Sequence, residues 1–293
     1  VFIFLSVIML FTIFFSFLVN ESDGLKYRYD HLPEEVLFYS LNVNLYSTED
    51  DYEEFQDFCP NENLKENLII IGDSQINTFV YTLLKEYKEL SCDYNISTIY
   101  NPSGRCILSQ QTDIVGEVSV CSDSHFNNFL EEVKKDNYIV LAIGRFETWL
   151  DPNKGGIEAY CDSCDYISVF ANRLKLISEA SQFLVIVEPT PIYPIKIAES
   201  FLYDKYTWGE DITISYTGWV DNMSETYKFL DNITSQKIFR LSPNKLFCNI
   251  PLDKCYATKN KVIFYTDTNH LTIEGNRILL ESVFRNLENF LNK

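Results

Sequence analysis

Positive charge and histidine are both scarce in this chain. Lysine and arginine number 24 against 42 aspartates and glutamates, which leaves a formal net charge of −18 over 293 residues. A surface of that sign repels phosphate backbones, so we expect no nucleic-acid partner. Only three histidines occur, and few side chains can therefore compete for the role of a general base near neutral pH.

Two common catalytic signatures are missing as well. The chain has neither the Gly-x-Ser-x-Gly elbow of the α/β-hydrolases nor a Gly-x-x-x-x-Gly-Lys phosphate loop, and nothing in it implies a cofactor. What is present is a hydrophobic content of 46% with 22 Phe and 19 Tyr, which predicts a packed globular body. The length suits one large domain or two small ones.

The N-terminal segment is almost wholly apolar. From Val1 to Val19 it is interrupted only by Ser6, Thr12 and Ser16. A helix of that length reaches about 28 Å, close to the hydrocarbon thickness of a bilayer. Since the basic region and cleavage site of a signal peptide are absent, we expect residues 1–19 to be a transmembrane helix, the last span of a longer protein. A buried core helix is the alternative, and the absence of charge disfavours it.

Cysteines and glycosylation sequons indicate an extracellular or lumenal domain. Eight cysteines and four Asn-x-Ser/Thr sequons occur, and the sequons begin at Asn20, Asn95, Asn222 and Asn232. We expect disulfides, with glycans at the last three asparagines, because Asn20 lies close to the predicted span.

One pair, Cys161 and Cys164, has a spacing that also suits a metal or redox site. Zinc would require a second pair or nearby histidines, which the sequence lacks, so a disulfide is favoured and no metal is expected.

Strand-like and helix-like segments alternate after an acidic stretch at residues 20–66, which we interpret as a tether packed on the domain edge. Apolar runs predict strands at 68–71, 96–100, 138–143 and 183–187, with a fifth candidate at 237–241. Helical spacing predicts helices at 74–90, 126–133, 169–180 and 274–291. This alternation predicts a three-layer α/β/α sandwich around a parallel sheet over residues 67–293. Residues 192–220 are aromatic and irregular, which suggests an insertion or a lid.

A serine follows the first predicted strand, in Gly72-Asp73-Ser74. Ligands of parallel α/β sheets bind beyond the carboxyl ends of the strands, so Ser74 lies where a site is expected. A serine hydroxyl becomes a nucleophile when a base takes its proton, and the helix that follows offers backbone N–H groups to an oxyanion. The alternative is that Ser74 only caps that helix.

An Asp-x-x-His pair, Asp267 and His270, precedes the last predicted helix. The spacing lets the carboxylate accept from the Nδ1–H of the imidazole, which leaves Nε2 free to act as a base. His31 lies in the tether, and His125 follows Asp123 at a less suitable spacing, so we assign both a structural or surface role. Together with Ser74, the pair predicts a Ser-His-Asp enzyme.

This arrangement resembles the SGNH (GDSL-like) hydrolase family, over roughly residues 66–293. The resemblance implies a flavodoxin-like parallel sheet, with Ser74 as nucleophile and with Asp267 and His270 completing the triad. It also implies that the backbone N–H groups of Ser74 and Gly104 stabilise the oxyanion. The asparagine that the family places after the third strand is missing. Arg145 stands in that region and is a candidate substitute donor.

Three further features resemble the SGNH domain of acyltransferase type 3 membrane proteins, notably nematode ones. They are Arg145-Phe146, the Glu-Pro-Thr-Pro segment at 188–191, and Cys248 and Cys255 shortly before Asp-x-x-His-Leu-Thr. The resemblance implies that residues 1–19 end a multi-span membrane part, and that Cys248 pairs with Cys255. Cys92, Cys106 and Cys121 are candidates for the other disulfides.

The function implied by this second resemblance is transfer of an acyl group from a donor to a hydroxyl acceptor such as a carbohydrate. The domain would then belong to a membrane protein and lie on its extracellular or lumenal side. Two alternatives stay open. One is a secreted or membrane-anchored GDSL esterase or lipase. The other is a non-catalytic binding domain with the same fold, which the missing asparagine favours.

Overall fold

The structure is a computed structural model of the whole chain. It describes residues 12, 32–41, 66–87, 94–99, 107–108, 122–150, 166–203 and 205–291. Within these residues, no helix combines the length and the apolar character needed to cross a membrane. The predicted span at 1–19 lies outside the described residues except for Thr12.

The described strands form one large sheet and two small ones. The strands are β1 Glu66–Gly72, β2 Tyr94–Ile99, β3 Ile139–Ile143, β4 Phe183–Val187, β5 Thr213–Ser215, β6 Ile238–Leu241, β7 Cys248–Asn249, β8 Lys254–Tyr256, β9 Thr258–Lys259 and β10 Val262–Ile263. The large sheet has the order β2-β1-β3-β4-β6, and all its pairs are parallel. The predicted parallel α/β sheet is therefore confirmed. Its order reverses between β1 and β3, which is where ligands bind in such sheets.

The apolar run of β1 is buried on both faces of the sheet. Leu68 and Ile70 belong to one hydrophobic cluster, and Ile69 and Ile71 belong to the other. Each of the four is at most 1% exposed. Successive side chains of a strand point to opposite faces, so a central parallel strand must be apolar throughout.

Helices cover both faces of the sheet. They are α1 Glu34–Leu41, α2 Gln75–Glu86, α3 Asp123–Lys135, α4 Phe146–Leu150, α5 Tyr166–Ala180, α6 Ile197–Leu202, α7 Tyr216–Asn222, α8 Ser224–Asp231, α9 Asn244–Phe247 and α10 Ile273–Leu291, with a 3₁₀ turn at Ile250–Leu252. Phe79 of α2 and Phe284 of α10 lie in the first cluster, and Phe129 of α3 and Phe170 of α5 lie in the second. The four predicted helices correspond to α2, α3, α5 and α10, with ends that differ by a few residues.

The segment 192–220 is more regular than the sequence suggested. It contains α6, β5 and α7, and β5 joins the antiparallel sheet β5-β8-β7. Trp219 of α7 is buried against Cys255 in a small separate cluster. The segment also supports the loop before α10, because the backbone N–H of Tyr193 donates to the carbonyl of Thr268 over 2.7 Å.

Helix α1 lies within the stretch interpreted as a tether. Val36 and Tyr39 are buried in the first hydrophobic cluster, and the Tyr39 hydroxyl accepts from the backbone N–H of Ile273 over 3.2 Å. Part of the stretch therefore packs against the helix that closes the domain. The boundaries 20–66 and 67–293 stay a prediction.

Candidate active site

Three predicted side chains from opposite ends of the chain meet beyond the carboxyl end of β1. The Oγ of Ser74 lies 2.8 Å from Nε2 of His270. The Nδ1 of the same imidazole lies 2.7 Å from Oδ2 of Asp267. Since an ionised carboxylate can only accept, Nδ1 carries the proton in the neutral ring and Nε2 is left to accept from the serine hydroxyl. The order nucleophile, base and orienting acid is that of a Ser-His-Asp triad.

Ser74 occupies the N-cap position of α2, but its side chain makes no capping hydrogen bond. The cap is supplied by its neighbour instead, because the backbone N–H of Gln75 donates to Oδ1 of Asp73 over 3.0 Å. Ser74 has φ −56° and ψ −16°, within the helical region. The capping alternative therefore does not account for this serine, whose hydroxyl faces the imidazole.

The loop that carries Asp267 and His270 is held by short-range hydrogen bonds. Oδ1 of Asp267 accepts from the backbone N–H groups of Asn269 over 2.9 Å and of His270 over 2.8 Å. The backbone N–H and the hydroxyl of Thr266 both donate to the carbonyl of His270, over 2.9 Å and 3.0 Å. One carboxylate oxygen thus shapes the loop while the other orients the imidazole.

The electrostatics of the pair favour a basic histidine beside an ionised aspartate. Burial alone would raise the pKa of Asp267, but the hydrogen bond and charge of His270, with the two backbone N–H groups, lower that pKa to about 2. For His270, burial lowers the pKa, whereas the hydrogen bond and charge of Asp267 outweigh it and raise the pKa above its usual value. The charge of Asp73 adds to this rise, and that of Arg145 opposes it.

Two positions at this end of the sheet require glycine: Gly72, where β1 lies against β3, and Gly144, where the chain lies against Trp149 of α4. A Cβ on Gly72 would lie 1.7 Å from the carbonyl oxygen of Ile143, and one on Gly144 would lie 2.6 Å from the ring of Trp149. The Oδ2 of Asp73 accepts from the backbone N–H of Arg145 over 2.8 Å. This bond ties Arg145, at the end of β3, to the residue that precedes Ser74.

Two of the three predicted oxyanion donors, Ser74 and Arg145, are among the described residues. Ser74 and Arg145 lie on the same edge of the sheet, whereas Gly104 lies outside the described residues. The Nε of Arg145 donates to Oε1 of Glu147 over 2.8 Å, and the Glu147 side chain is only 2% exposed. Sequence reasoning missed Glu147; its only signal was a charged residue within the apolar, aromatic run Phe-Glu-Thr-Trp-Leu.

The two described cysteines form a disulfide, and three of the four sequon asparagines are exposed. Cys248 pairs with Cys255, as the resemblance implied. The other disulfide candidates, Cys92, Cys106, Cys121, Cys161 and Cys164, lie outside the described residues. Asn95, Asn222 and Asn232 are exposed. Attachment of glycans to these three asparagines stays a prediction.

Comparison with protein families agrees with the fold. A family model described as an SGNH domain (fused to AT3 domains) matches residues 45–284. The matched region contains Ser74, Asp267 and His270, together with the whole parallel sheet. No curated protein matches the chain.

Proposed function

The chain belongs to the SGNH domain family whose members are fused to acyltransferase-3 (AT3) domains, and we propose that it is a serine acyl-ester enzyme acting through Ser74, His270 and Asp267. The observation that carries the proposal is the 2.8 Å contact between Ser74 Oγ and His270 Nε2, with Asp267 on the other ring nitrogen. A serine held only as a helix cap would have no need of an oriented imidazole.

The first half of the proposed reaction forms an acyl-enzyme. The Oγ of Ser74 attacks the carbonyl carbon of the acyl donor while Nε2 of His270 takes its proton, and the carbonyl electrons move to the oxygen. Ionised Asp267 balances the imidazolium charge, consistent with its low pKa. The intermediate collapses by breaking the bond to the leaving group, which takes the proton from His270.

Backbone and side-chain donors stabilise the negatively charged oxygen of the intermediate. The N–H of Ser74 lies at the N-terminus of α2, where backbone donors point out of the helix. Arg145 supplies a cationic donor from the end of β3, and Gly104 supplies a further N–H. Arg145 takes the part that an asparagine takes elsewhere in the family.

The second half of the reaction transfers the acyl group. An acceptor hydroxyl gives its proton to His270 and attacks the acyl carbon, and Ser74 Oγ leaves with the proton returned by the imidazole. The acceptor that we propose is a hydroxyl group, such as that of a carbohydrate, and the family's fusion to AT3 domains supports transfer to such an acceptor. With water as acceptor, the same steps give hydrolysis. The disulfide Cys248–Cys255 and the exposed sequons support an extracellular or lumenal domain, anchored through residues 1–19.

Labelling with a fluorophosphonate probe tests the proposed chemistry. We expect the wild-type chain to be labelled at Ser74 and to release p-nitrophenol from p-nitrophenyl acetate, and Ser74→Ala to lose both. Ser122→Ala is the matched control, since the Ser122 side chain does cap a helix by accepting from the backbone N–H of His125. An unlabelled wild-type protein, or labelling that survives Ser74→Ala, would contradict the proposal.

Transfer is separated from hydrolysis by adding an acceptor. With labelled acetyl donor and a methyl glycoside, we expect acetylated glycoside to form at the expense of free acetate. Release of acetate alone at every glycoside concentration would assign the chain to the esterases and contradict the acceptor that we propose.

A further inference from the structure

Arg145 and Glu147 form an ion pair at the edge of the candidate site, and one partner is almost fully buried. The Glu147 side chain is 2% exposed, whereas that of Arg145 is 31% exposed. Glu147 lies in α4, where the rings of Phe146 and Trp149 pack against each other with centroids 4.9 Å apart. Its second carboxylate oxygen, Oε2, is buried and has no hydrogen-bond partner among the described residues.

Such a pair contributes little to stability. Removing two charges from water costs several kcal/mol per ion, and apolar residues of similar volume often stabilise a fold equally well or better. Burial accordingly raises the pKa of Glu147, and the charge and hydrogen bond of Arg145 oppose that rise. The carboxylate at this position is therefore better explained by its effect on Arg145 than by a contribution to stability.

The Arg145 backbone is fixed independently of its side chain. Its N–H donates to Asp73 over 2.8 Å, and its carbonyl accepts from the backbone N–H and the hydroxyl of Thr148 over 2.9 Å and 2.8 Å. Among the described residues, the side chain of Arg145 makes one hydrogen bond, from Nε to Glu147. A guanidinium carries five N–H donors, and no described residue accepts from the four on Nη1 and Nη2 of Arg145.

The charge of Arg145 acts on the proposed catalytic base. It lowers the pKa of His270, opposing the increase that Asp267 and Asp73 produce. The backbone of Arg145 is also bonded to Asp73, the residue before Ser74, so its side chain starts at the same end of the sheet as the nucleophile. A cation at that place acts electrostatically on a negative oxygen formed at Ser74.

We propose that Glu147 is a positioning residue, which fixes the Arg145 guanidinium through Nε so that the Nη donors meet the oxyanion of the acyl intermediate. This inference rests on the proposed function of Ser74. A long, flexible side chain held at one nitrogen loses less conformational freedom when the charge develops, and a donor already in place stabilises a transition state more than one that must be ordered. Glu147 has the reach for this contact, and its burial prevents water from competing for Nε.

A double-mutant cycle on p-nitrophenyl acetate hydrolysis tests the coupling. We expect Glu147→Gln to lower kcat about 10- to 100-fold with little change in KM, because misplacing a group near the reaction can cost about 10²-fold. Arg145→Ala should lower kcat further, and Glu147→Gln added to Arg145→Ala should cost almost nothing more. Glu225→Gln, which removes the exposed ion pair with Lys228, is the matched control and should leave kcat unchanged.

Additive losses in that cycle would overturn the inference, because Glu147 would then act on the fold and not through Arg145. Glu147→Met provides a check on folding, since it keeps the volume and removes the charge. Because Arg145 is 31% exposed and its charge stays partly solvated without Glu147, we expect the melting temperature to stay close to that of the wild type while kcat still falls. If kcat were retained in Glu147→Met, the inference would be wrong.

Titration of His270 by NMR gives a readout that needs no enzymatic activity. His270→Gln assigns its resonance among the three histidines. When Glu147 no longer holds Arg145, the guanidinium lowers the pKa of His270 less. We therefore expect Glu147→Gln to raise the pKa of His270 in the otherwise wild-type protein. In a protein that already carries Arg145→Ala, the same substitution should leave that pKa unchanged. If the chain were inactive toward esters but the pKa of His270 still responded to Glu147→Gln only when Arg145 is present, the proposed function would be refuted. The proposal that Glu147 positions Arg145 would still stand. Equal shifts in both backgrounds would refute the positioning.

Discussion

The two sides of the candidate site are assembled by different means. On one side, Asp267 and His270 lie three residues apart in one loop, and both oxygens of the carboxylate are used within that loop. On the other side, Arg145 comes from the end of β3 and is held by Asp73 and Glu147, which lie on two different elements. The acid–base pair is therefore local, whereas the oxyanion side depends on the approach of two strands.

The resemblance implied that one side follows the family pattern and that the other departs from it, and this difference in assembly offers a physical reason. Proton transfer requires Ser74, His270 and Asp267 at fixed hydrogen-bond distances, which few other residues could supply. An oxyanion accepts a hydrogen bond from any donor placed about 3 Å away, so an arginine can take the place of an asparagine. We therefore expect substitutions on the first side to cost more activity than substitutions on the second.

The largest loss is expected from His270→Gln. Without a base, Ser74 keeps its proton at neutral pH, and kcat should fall by on the order of 10⁴-fold or more. The measurement is p-nitrophenyl acetate hydrolysis. His125→Gln is the control, because His125 lies in the first turn of α3 and makes no hydrogen bond to Ser74 or Asp267 in the described part of the chain. A His270→Gln variant within about 10-fold of the wild type would contradict the assignment of the base.

Asp267→Asn should lower kcat nearly as much as His270→Gln, but for a different reason. An asparagine can donate to Nδ1, which would shift the ring proton to Nε2 and leave no acceptor for the Ser74 hydroxyl; the expected loss is about 10⁴-fold. The backbone bonds from Asn269 and His270 can still reach Oδ1 of the new side chain, so the fold should be retained. Near-UV circular dichroism unchanged beside the lost activity distinguishes this outcome from unfolding.

The two sides also differ in how far the sequence alone could predict them. The Asp267–His270 contact follows from a spacing of three residues, and the strand before Ser74 follows from an unbroken apolar run. The bond from Arg145 N–H to Asp73 joins residues 72 positions apart. It depends on the close approach of β1 and β3 that Gly72 permits, and a single sequence contains no local signal of that approach.

Arg145→Ala should have a smaller effect than either substitution in the loop. Loss of one oxyanion donor commonly costs about 10²- to 10³-fold in kcat, and the backbone N–H groups remain. Arg145→Lys keeps the charge but not the Nε contact with Glu147, so it should restore only part of the loss. A loss as large as that of His270→Gln would mean that the oxyanion side is as essential as the proton-transfer side.

The pH profile connects the two sides. His270 must be neutral to take the proton, and its pKa is raised, so activity should fall as the pH drops through a value above the usual one for histidine. Asp267 has a pKa of about 2 and stays ionised over this range. Because the charge of Arg145 lowers the pKa of His270, Arg145→Ala should move the acidic limb of kcat to higher pH. A limb that does not move would show that the two sides are electrostatically independent.

The smallest effect on catalysis is expected from the disulfide, which lies on neither side. Cys248 and Cys255 join β7 to β8 in the antiparallel sheet, whereas Ser74 and Arg145 follow strands of the parallel sheet. The double substitution Cys248→Ala/Cys255→Ala should lower the free energy of unfolding by about 2–4 kcal/mol, because the unfolded chain regains the freedom of a closed loop. Since no residue of the site is anchored by this bond, kcat should be retained below the new melting temperature. Chemical denaturation measures the first quantity and ester hydrolysis the second. A fall in kcat without a fall in stability would place the antiparallel sheet within the catalytic machinery.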